Sequence, residues 1–274
     1  MLERKLFLAL TLYLALTLFF GIIQAAYPSI RSQRTWRKGS RLDSFYWFFT
    51  LIFSQVLSTI CIAAIVVPIF WVLGRTIDMD VLTEGYGYLG SLPHWLQGLA
   101  IVFIGDFMGY WTHRWLHTGR MWKIHAIHHS SEELDWLSSV RVHPINDIIS
   151  RTAQSFPVLL LGFAPLSVEI YAPFLTAYLA FIHANLPWSY GPFRYLIASP
   201  VFHRWHHSRE IEALDKNFAG LFPIFDVLFG TFYMPEKCQP KNFGLYEEYL
   251  PMNFRRHLLY PFRESNPGLR EIES

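Results

Sequence analysis

Charge is scarce in this chain: Asp, Glu, Lys and Arg make up 16% of its 274 residues, against about 25% in an ordinary soluble domain. Such a composition cannot cover a soluble surface of this size, and with 52% hydrophobic residues it points to a protein embedded in lipid. Cysteine is nearly absent. Cys61 sits in an apolar run and Cys238 near the C-terminus, so neither a disulfide framework nor a thiolate metal site is available. No basic run or interleaving of aromatic with basic residues suggests nucleic acid, so that class of partner drops out. No G-x-G-x-x-G, flavin motif or fused haem domain appears, and no repeat or low-complexity tract.

What is there instead is apolar sequence in long runs. Leu6 to Ala26 follows Glu3, Arg4 and Lys5 and exceeds the 7 to 15 residues of a signal-peptide core, so it reads as a span, with a signal peptide as the other reading. Phe45 to Leu73 is longer than one perpendicular crossing needs, which implies tilt or a kink near Pro68. Trp95 to Trp111 is interrupted by Asp106, and Phe156 to Ile182, punctuated by Pro157, Pro165 and Pro173, reads as a helical hairpin that spans or dips. The expected fold is all-α: an integral membrane helical bundle of about four to five membrane segments with a cytoplasmic histidine-rich helical cap. Residues 1–94 form the N-terminal spans and loops, 95–235 a catalytic domain containing the hairpin 156–182, and 236–274 a cytoplasmic tail.

Arg31, Arg34, Arg37, Lys38 and Arg41 lie between the first two runs, whereas Asp78 to Glu84 after the second is acidic. The basic loop is therefore expected on the cytoplasmic side. Two crossings later the third run delivers His113 to that side, and the hairpin returns His203 to it.

The twelve histidines are not scattered. HRWLH at His113 to His117, HAIHH at His125 to His129 and HRWHH at His203 to His207 place imidazoles 3 and 4 residues apart, on one face of a helix. Neutral imidazole suits iron, zinc, copper and nickel, and the eight side chains His113, His117, His125, His128, His129, His203, His206 and His207 exceed the needs of one ion, so two metals are implied. His183, in FIHANL, supplies a ninth candidate. His143, in VRVHPIND, is balanced between ligand, outer partner and pre-proline turn residue. His94 and His257 read as ordinary surface or hydrogen-bonded histidines.

Other metal chemistries lack their letters. H-E-x-x-H is absent, because Arg114 occupies the place of the glutamate base, and the E-x-x-H of ferritin-like di-iron proteins is missing. A bis-histidine haem leaves the triples unexplained. Asp106 is costly inside an apolar run and shares a helical stripe with Tyr110, His113 and His117, where it is expected to accept an N–H from a ligating imidazole.

From Gly105 to Met234 these residues resemble the fatty acid hydroxylase and sterol desaturase superfamily, which carries H-x-x-x-H, H-x-x-H-H and H-x-x-H-H boxes in this order. The likeness includes HHSSEELDWLSSVRVHP, the isolated His183, and the closing DKNFAGLFPIFDVLFGTFYMPE. It implies ligands at His113, His117, His125, His128, His129, His183, His203, His206 and His207, with Asn185 standing where other members place a further histidine. It implies two iron ions, with zinc as a replacement in purified material, O2 as cosubstrate, and a separate electron donor that is cytochrome b5-like or ferredoxin-like with its reductase.

The reaction implied is hydroxylation of an apolar lipid such as a sterol, fatty acyl chain or ether lipid, with desaturation as the second possibility. The setting is a bacterial inner membrane or endoplasmic reticulum, boxes facing the cytoplasm. A non-catalytic metal-binding scaffold of the same fold is the alternative, and a zinc hydrolase lacks a carboxylate base beside the boxes. Trp111, Trp115, Trp122, Trp136, Trp188 and Trp205 read as anchors and packing. Arg204 and Lys123 read as solvated charge, with docking of the donor as the other reading.

Overall fold

A computed structural model describes residues 2–236, 238–246 and 250–263; the rest of the expected tail 236–274 lies outside the described residues. Among the described residues every regular element is helical, the single exception being an isolated antiparallel bridge between Ser208 and Phe243. Seven helices carry the frame: α1 (Leu2–Ala26), α2 (Ser40–Val72), α3 (His94–Leu116), α4 (Gly119–His129), α5 (Pro144–Leu161), α6 (Pro165–His183) and α7 (Pro200–His206). A π turn at Thr50–Ser54 widens α2, and Pro68 lies within its last turns.

Two helices are long and apolar enough to cross a membrane, Leu6–Ala26 and Ser40–Val72. Only 11% and 17% of their most apolar windows are buried by the protein, so neither is a core helix of a soluble fold. Phe7, Leu18, Ile22, Phe53 and Trp71 project outward instead, as residues facing lipid do. The expected third span α3 and the hairpin α5–α6 fall outside that length and hydropathy test, although Pro173–His183 is a shorter apolar helix.

Local signals set the ends of the elements that matter. Pro144, Pro165 and Pro200 open α5, α6 and α7, where a missing N–H costs nothing and φ is already helical. Ser199 caps α7 by accepting from the Phe202 N–H. Gly162 ends α5 with φ of 97°, a conformation that glycine adopts without a Cβ clash. α3 packs against α5 and α6, α2 against α5, and α6 against α7 and the 3₁₀ turn Trp136–Val140. The resulting cluster of Phe20, Trp47, Trp136, Leu137, Ala180, Ala184 and Leu186 ties the two long apolar helices to the histidine-bearing half.

A buried ionic group does the same with charge. Arg37, in the loop before α2, donates through Nη2 to Asp43, Asp135 and Ser138. Arg141 grips both oxygens of Asp43 from the far side. All four charged side chains are buried, and two cations face two anions. Gly39 is required between them, since a Cβ there would lie 2.4 Å from Arg37 Nη1 and 2.5 Å from Arg141 Nη2.

Candidate metal centre

α3 carries His113 in its last turn and is capped by His117, and Gly119, at φ of 48°, turns the chain into α4 with His125, His128 and His129. α6 ends on His183, and α7 carries His203 and His206 with His207 at its cap. The four helix ends converge. His113, His117, His125, His129 and His206 form one group; His128, His183, His203 and His207 form a second; and within each group the candidate ligand atoms lie within 4.8 Å of one another.

The partition crosses the sequence boxes. In HAIHH the first and third histidines enter the first group and the second enters the other; in HRWHH the assignment is reversed. Each H-x-x-H-H box thus reaches both groups, because positions i and i+4 lie over each other while i+3 is rotated away on the helix, whereas His113 and His117 both enter the first group. The expectation that each triple forms one convergent set is corrected accordingly.

Hydrogen bonds behind the rings fix their tautomers. Nδ1 of His113 donates to the Phe218 carbonyl at 2.8 Å, that of His206 to Lys216 at 2.7 Å, that of His183 to Leu179 at 2.7 Å and that of His128 to Arg141 at 3.3 Å. A carbonyl can only accept, so Nε2 of each neutral ring carries a lone pair. His125 Nδ1 lies 2.7 Å from Asn146 Oδ1 in the same arrangement.

Yet those Nε2 atoms face one another. His113 and His125 are 2.9 Å apart, and His128 and His183 3.2 Å, each through Nε2. Nε2 of His117 and of His206 is buried with no partner. Two lone pairs at such a distance repel unless a cation lies between them. Adjacent imidazoles each about 2.1 Å from one ion, at roughly right angles, bring their nitrogens to about 3.0 Å. The donor set therefore fits two metal ions, and its nitrogens are of the type that suits iron and zinc. Burial, followed by the neighbouring imidazoles, pushes His129, His203 and His207 well below the usual histidine range, which keeps them neutral and able to coordinate.

The loop 214–222 supplies much of the backing. Asp215 and Asn217 take positive φ, and Asn217 locks the turn by donating to the carbonyls of Phe202 and Tyr233 and accepting from Tyr233 N–H. That presents the Lys216 and Phe218 carbonyls to His206 and His113. Asp226 holds the same loop through the N–H groups of Phe218 and Ala219. Sequence reading missed Asn146, Asn217, Asp226 and these carbonyls. An Asn able to adopt a left-handed turn inside DKNFAG was the one available signal.

Several expectations need correcting. Asp106 takes no imidazole proton; both its oxygens accept backbone N–H groups of Gly220, Leu221 and Phe222, so it acts one step back, on the loop that orients His113. Asn185 is away from both groups: its side chain bonds the backbone of Ile30 in both directions, and its N–H meets Gln24. Arg204 is fully buried rather than solvated, donating to the Leu134 carbonyl with its guanidinium over Phe243; burial pushes it down to about 9. Lys123 donates to the Arg263 carbonyl.

His143 also lies outside both groups. It caps α5, accepting at Nδ1 from the Ile145 N–H, and its Nε2 donates to the Leu258 carbonyl. His143→Ala is expected to lower stability by about 1 kcal/mol through the lost cap and to leave metal content unchanged, as read by thermal melting beside elemental analysis; His143→Asn should recover most of the loss. His257, buried against the Tyr46 hydroxyl, and His94, beside Ser167, behave as hydrogen-bonded residues.

Comparison with known proteins agrees with the geometry. Residues 98–231 match the fatty acid hydroxylase family model. Ornithine lipid hydroxylase OlsE of Rhizobium tropici is 30% identical over 210 residues, 73% of this chain and 62% of that protein. Alkylglycerol monooxygenase of Homo sapiens is 37% identical over 133 residues, 47% of this chain and 29% of that one. Very-long-chain aldehyde decarbonylase GL1-11 of Oryza sativa subsp. indica is 32% identical over 149 residues, 51% and 55% respectively. The chain spans less than two thirds of each of these relatives, and no solved structure matches it. With the family model lying over all nine clustered histidines, residues 98–231 of this chain are a fatty acid hydroxylase domain.

Proposed function

We propose that this chain is a membrane-bound di-iron oxygenase that hydroxylates an apolar lipid, taking electrons from a separate cytochrome b5-like or ferredoxin-like donor. The carrying observation is the pair of histidine groups whose Nε2 lone pairs face each other behind fixed tautomers. In this reading His113, His117, His125, His129 and His206 hold one iron and His128, His183, His203 and His207 the other. Bound iron would supply the O2-dependent redox chemistry that an unactivated C–H bond requires, since such a bond offers no handle to an acid or base.

The protein's own part is positional. The carbonyls of Phe218, Lys216, Leu179 and Arg141 hold the rings in the tautomer that presents Nε2, an arrangement that strengthens the ligand and fixes its plane. Trp122 packs against His117 and His129, and Phe218 against His113, His117 and His206, shielding the first group from water. Both long apolar helices leave their outer faces uncovered, which suits a substrate arriving from the lipid.

The same reading has four to five membrane segments, α3 and the α5–α6 hairpin joining the two long helices, with the histidines toward the cytoplasm. Residues 1–94, 95–235 and 236–274 then serve as anchor, catalytic domain and tail. The intact set of nine histidines favours an enzyme over a scaffold of the same fold. Lipid profiling of cells with and without the chain, grown with and without air, tests this. A lipid gaining one oxygen only in aerobic, expressing cells is expected; identical profiles in all four cultures would remove the oxygenase reading.

A further inference from the structure

The loop between α1 and α2 has no part in the metal chemistry, yet it is built around a cavity of about 500 Å³ lined by Arg34, Trp36, Arg37, Lys38, Arg41 and Glu133. Arg34, Lys38 and Arg41 are exposed, and none of them is in an ion pair among the described residues. Beneath them Arg37 is 3% exposed, and its Nε is buried without a partner although Nη2 is fully engaged. The interior charges already balance, Arg37 and Arg141 against Asp43 and Asp135. The lining cations are therefore in surplus over the one carboxylate, Glu133, that shares the cavity.

We propose that this cavity binds the phosphate of an anionic phospholipid headgroup. Guanidinium and ammonium groups converging on a concave site match phosphate oxygens in charge and donor geometry. The loop that lines the cavity joins the ends of the two helices apolar enough to cross a membrane, at the depth where headgroups lie, and Trp36, 55% exposed beside it, is the side chain that favours that depth. A flat acidic protein surface would meet the rim cations but not reach the buried Arg37 at the floor. The site is also connected to the metal centre, because Arg37 and Arg141 share Asp43 and the Arg141 carbonyl orients His128.

The inference rests on the membrane reading of α1 and α2, and is separate from the metal chemistry. The full chain is purified in detergent and exchanged into nanodiscs of phosphatidylcholine containing a minor fraction of phosphatidylglycerol, and the lipids it retains on release are counted by native mass spectrometry. Wild type is expected to retain phosphatidylglycerol over phosphatidylcholine. The triple variant Arg34→Gln, Lys38→Gln, Arg41→Gln is expected to bind it on the order of a hundredfold more weakly, while Arg34→Lys with Arg41→Lys keeps it.

Equal retention of the two lipids by wild type, or an unchanged preference in the triple variant, would overturn the site. So would complete displacement by millimolar inorganic phosphate, which would make free phosphate the ligand, or binding of an acidic protein at the same residues with no lipid preference. A chain that stays monodisperse in buffer without detergent would instead refute the membrane reading itself.

Discussion

A chain carrying His128→Ala and His203→Ala should retain about one metal equivalent where the native chain is expected to bind about two, and the retained ion should be the one held by His113, His117, His125, His129 and His206. The complementary pair, His125→Ala with His206→Ala, should empty the other position. Both pairs take one residue from each H-x-x-H-H box, so a box-by-box assignment predicts two damaged sites in each variant, whereas the crossed arrangement predicts one intact site. Replacing two residues of a single box, His125 with His128, should weaken both ions. The second group has four candidate ligands against five in the first, so its losses should be the more complete. Elemental analysis of protein reconstituted with iron reads the outcome, with circular dichroism confirming that helix content is kept.

Asp43→Asn is expected to be the most damaging substitution away from the histidines. Its carboxylate is fully buried and takes Arg37 from one side and both donor arms of Arg141 from the other. Neutralising it leaves two buried guanidiniums facing each other with one carboxylate, Asp135, between the pair of them. Breaking such a group by removing one partner costs about 3 to 5 kcal/mol, which for a chain of this size corresponds to a fall in Tm on the order of 10 °C. Arg120→Gln, at an exposed position, should change stability by less than about 0.5 kcal/mol. Because the Arg141 carbonyl orients His128, Asp43→Asn should also weaken the second metal position by roughly tenfold or more, a change that plain loss of packing elsewhere would not confine to one of the two ions.

The histidines could be picked out of the sequence because helical spacing alone places positions 3 and 4 apart on one face, and because so many imidazoles in so apolar a chain have no other use. Their division between two groups could not, since it depends on the angle at which α4 and α7 approach each other, and spacing along one helix carries no such information. Asp106 illustrates the same limit. Its place inside an apolar run and its stripe with His113 were legible, but the partner came from the turn at Gly220 to Phe222, 114 to 116 residues away. The carbonyls of Phe218, Lys216 and Arg141 left no trace, because every residue owns a carbonyl and only the fold decides which one meets a ring. Arg204 was misread for a related reason: a charged residue in a histidine box looks solvated until the 134 carbonyl and the Phe243 ring are seen to enclose it.

The two long helices show the converse. Composition alone marked Leu6–Ala26 and much of Ser40–Val72, and their outward-facing apolar side chains agree. α3 and the α5–α6 hairpin were harder to assign, since α3 carries Asp106, which takes N–H groups of a distant loop, and α5 carries the partly exposed Asp147–Arg151 ion pair.

The central claim is that two histidine-held irons let this chain insert oxygen from O2 into a lipid C–H bond, and isotope labelling tests it most directly. Iron-loaded protein in nanodiscs, given electrons from a chemical reductant or a reconstituted donor under ¹⁸O2, should yield a hydroxylated lipid in which the new oxygen is ¹⁸O. A hydroxyl whose oxygen comes from water, or intact lipid recovered from fully loaded and reducible protein, would contradict it.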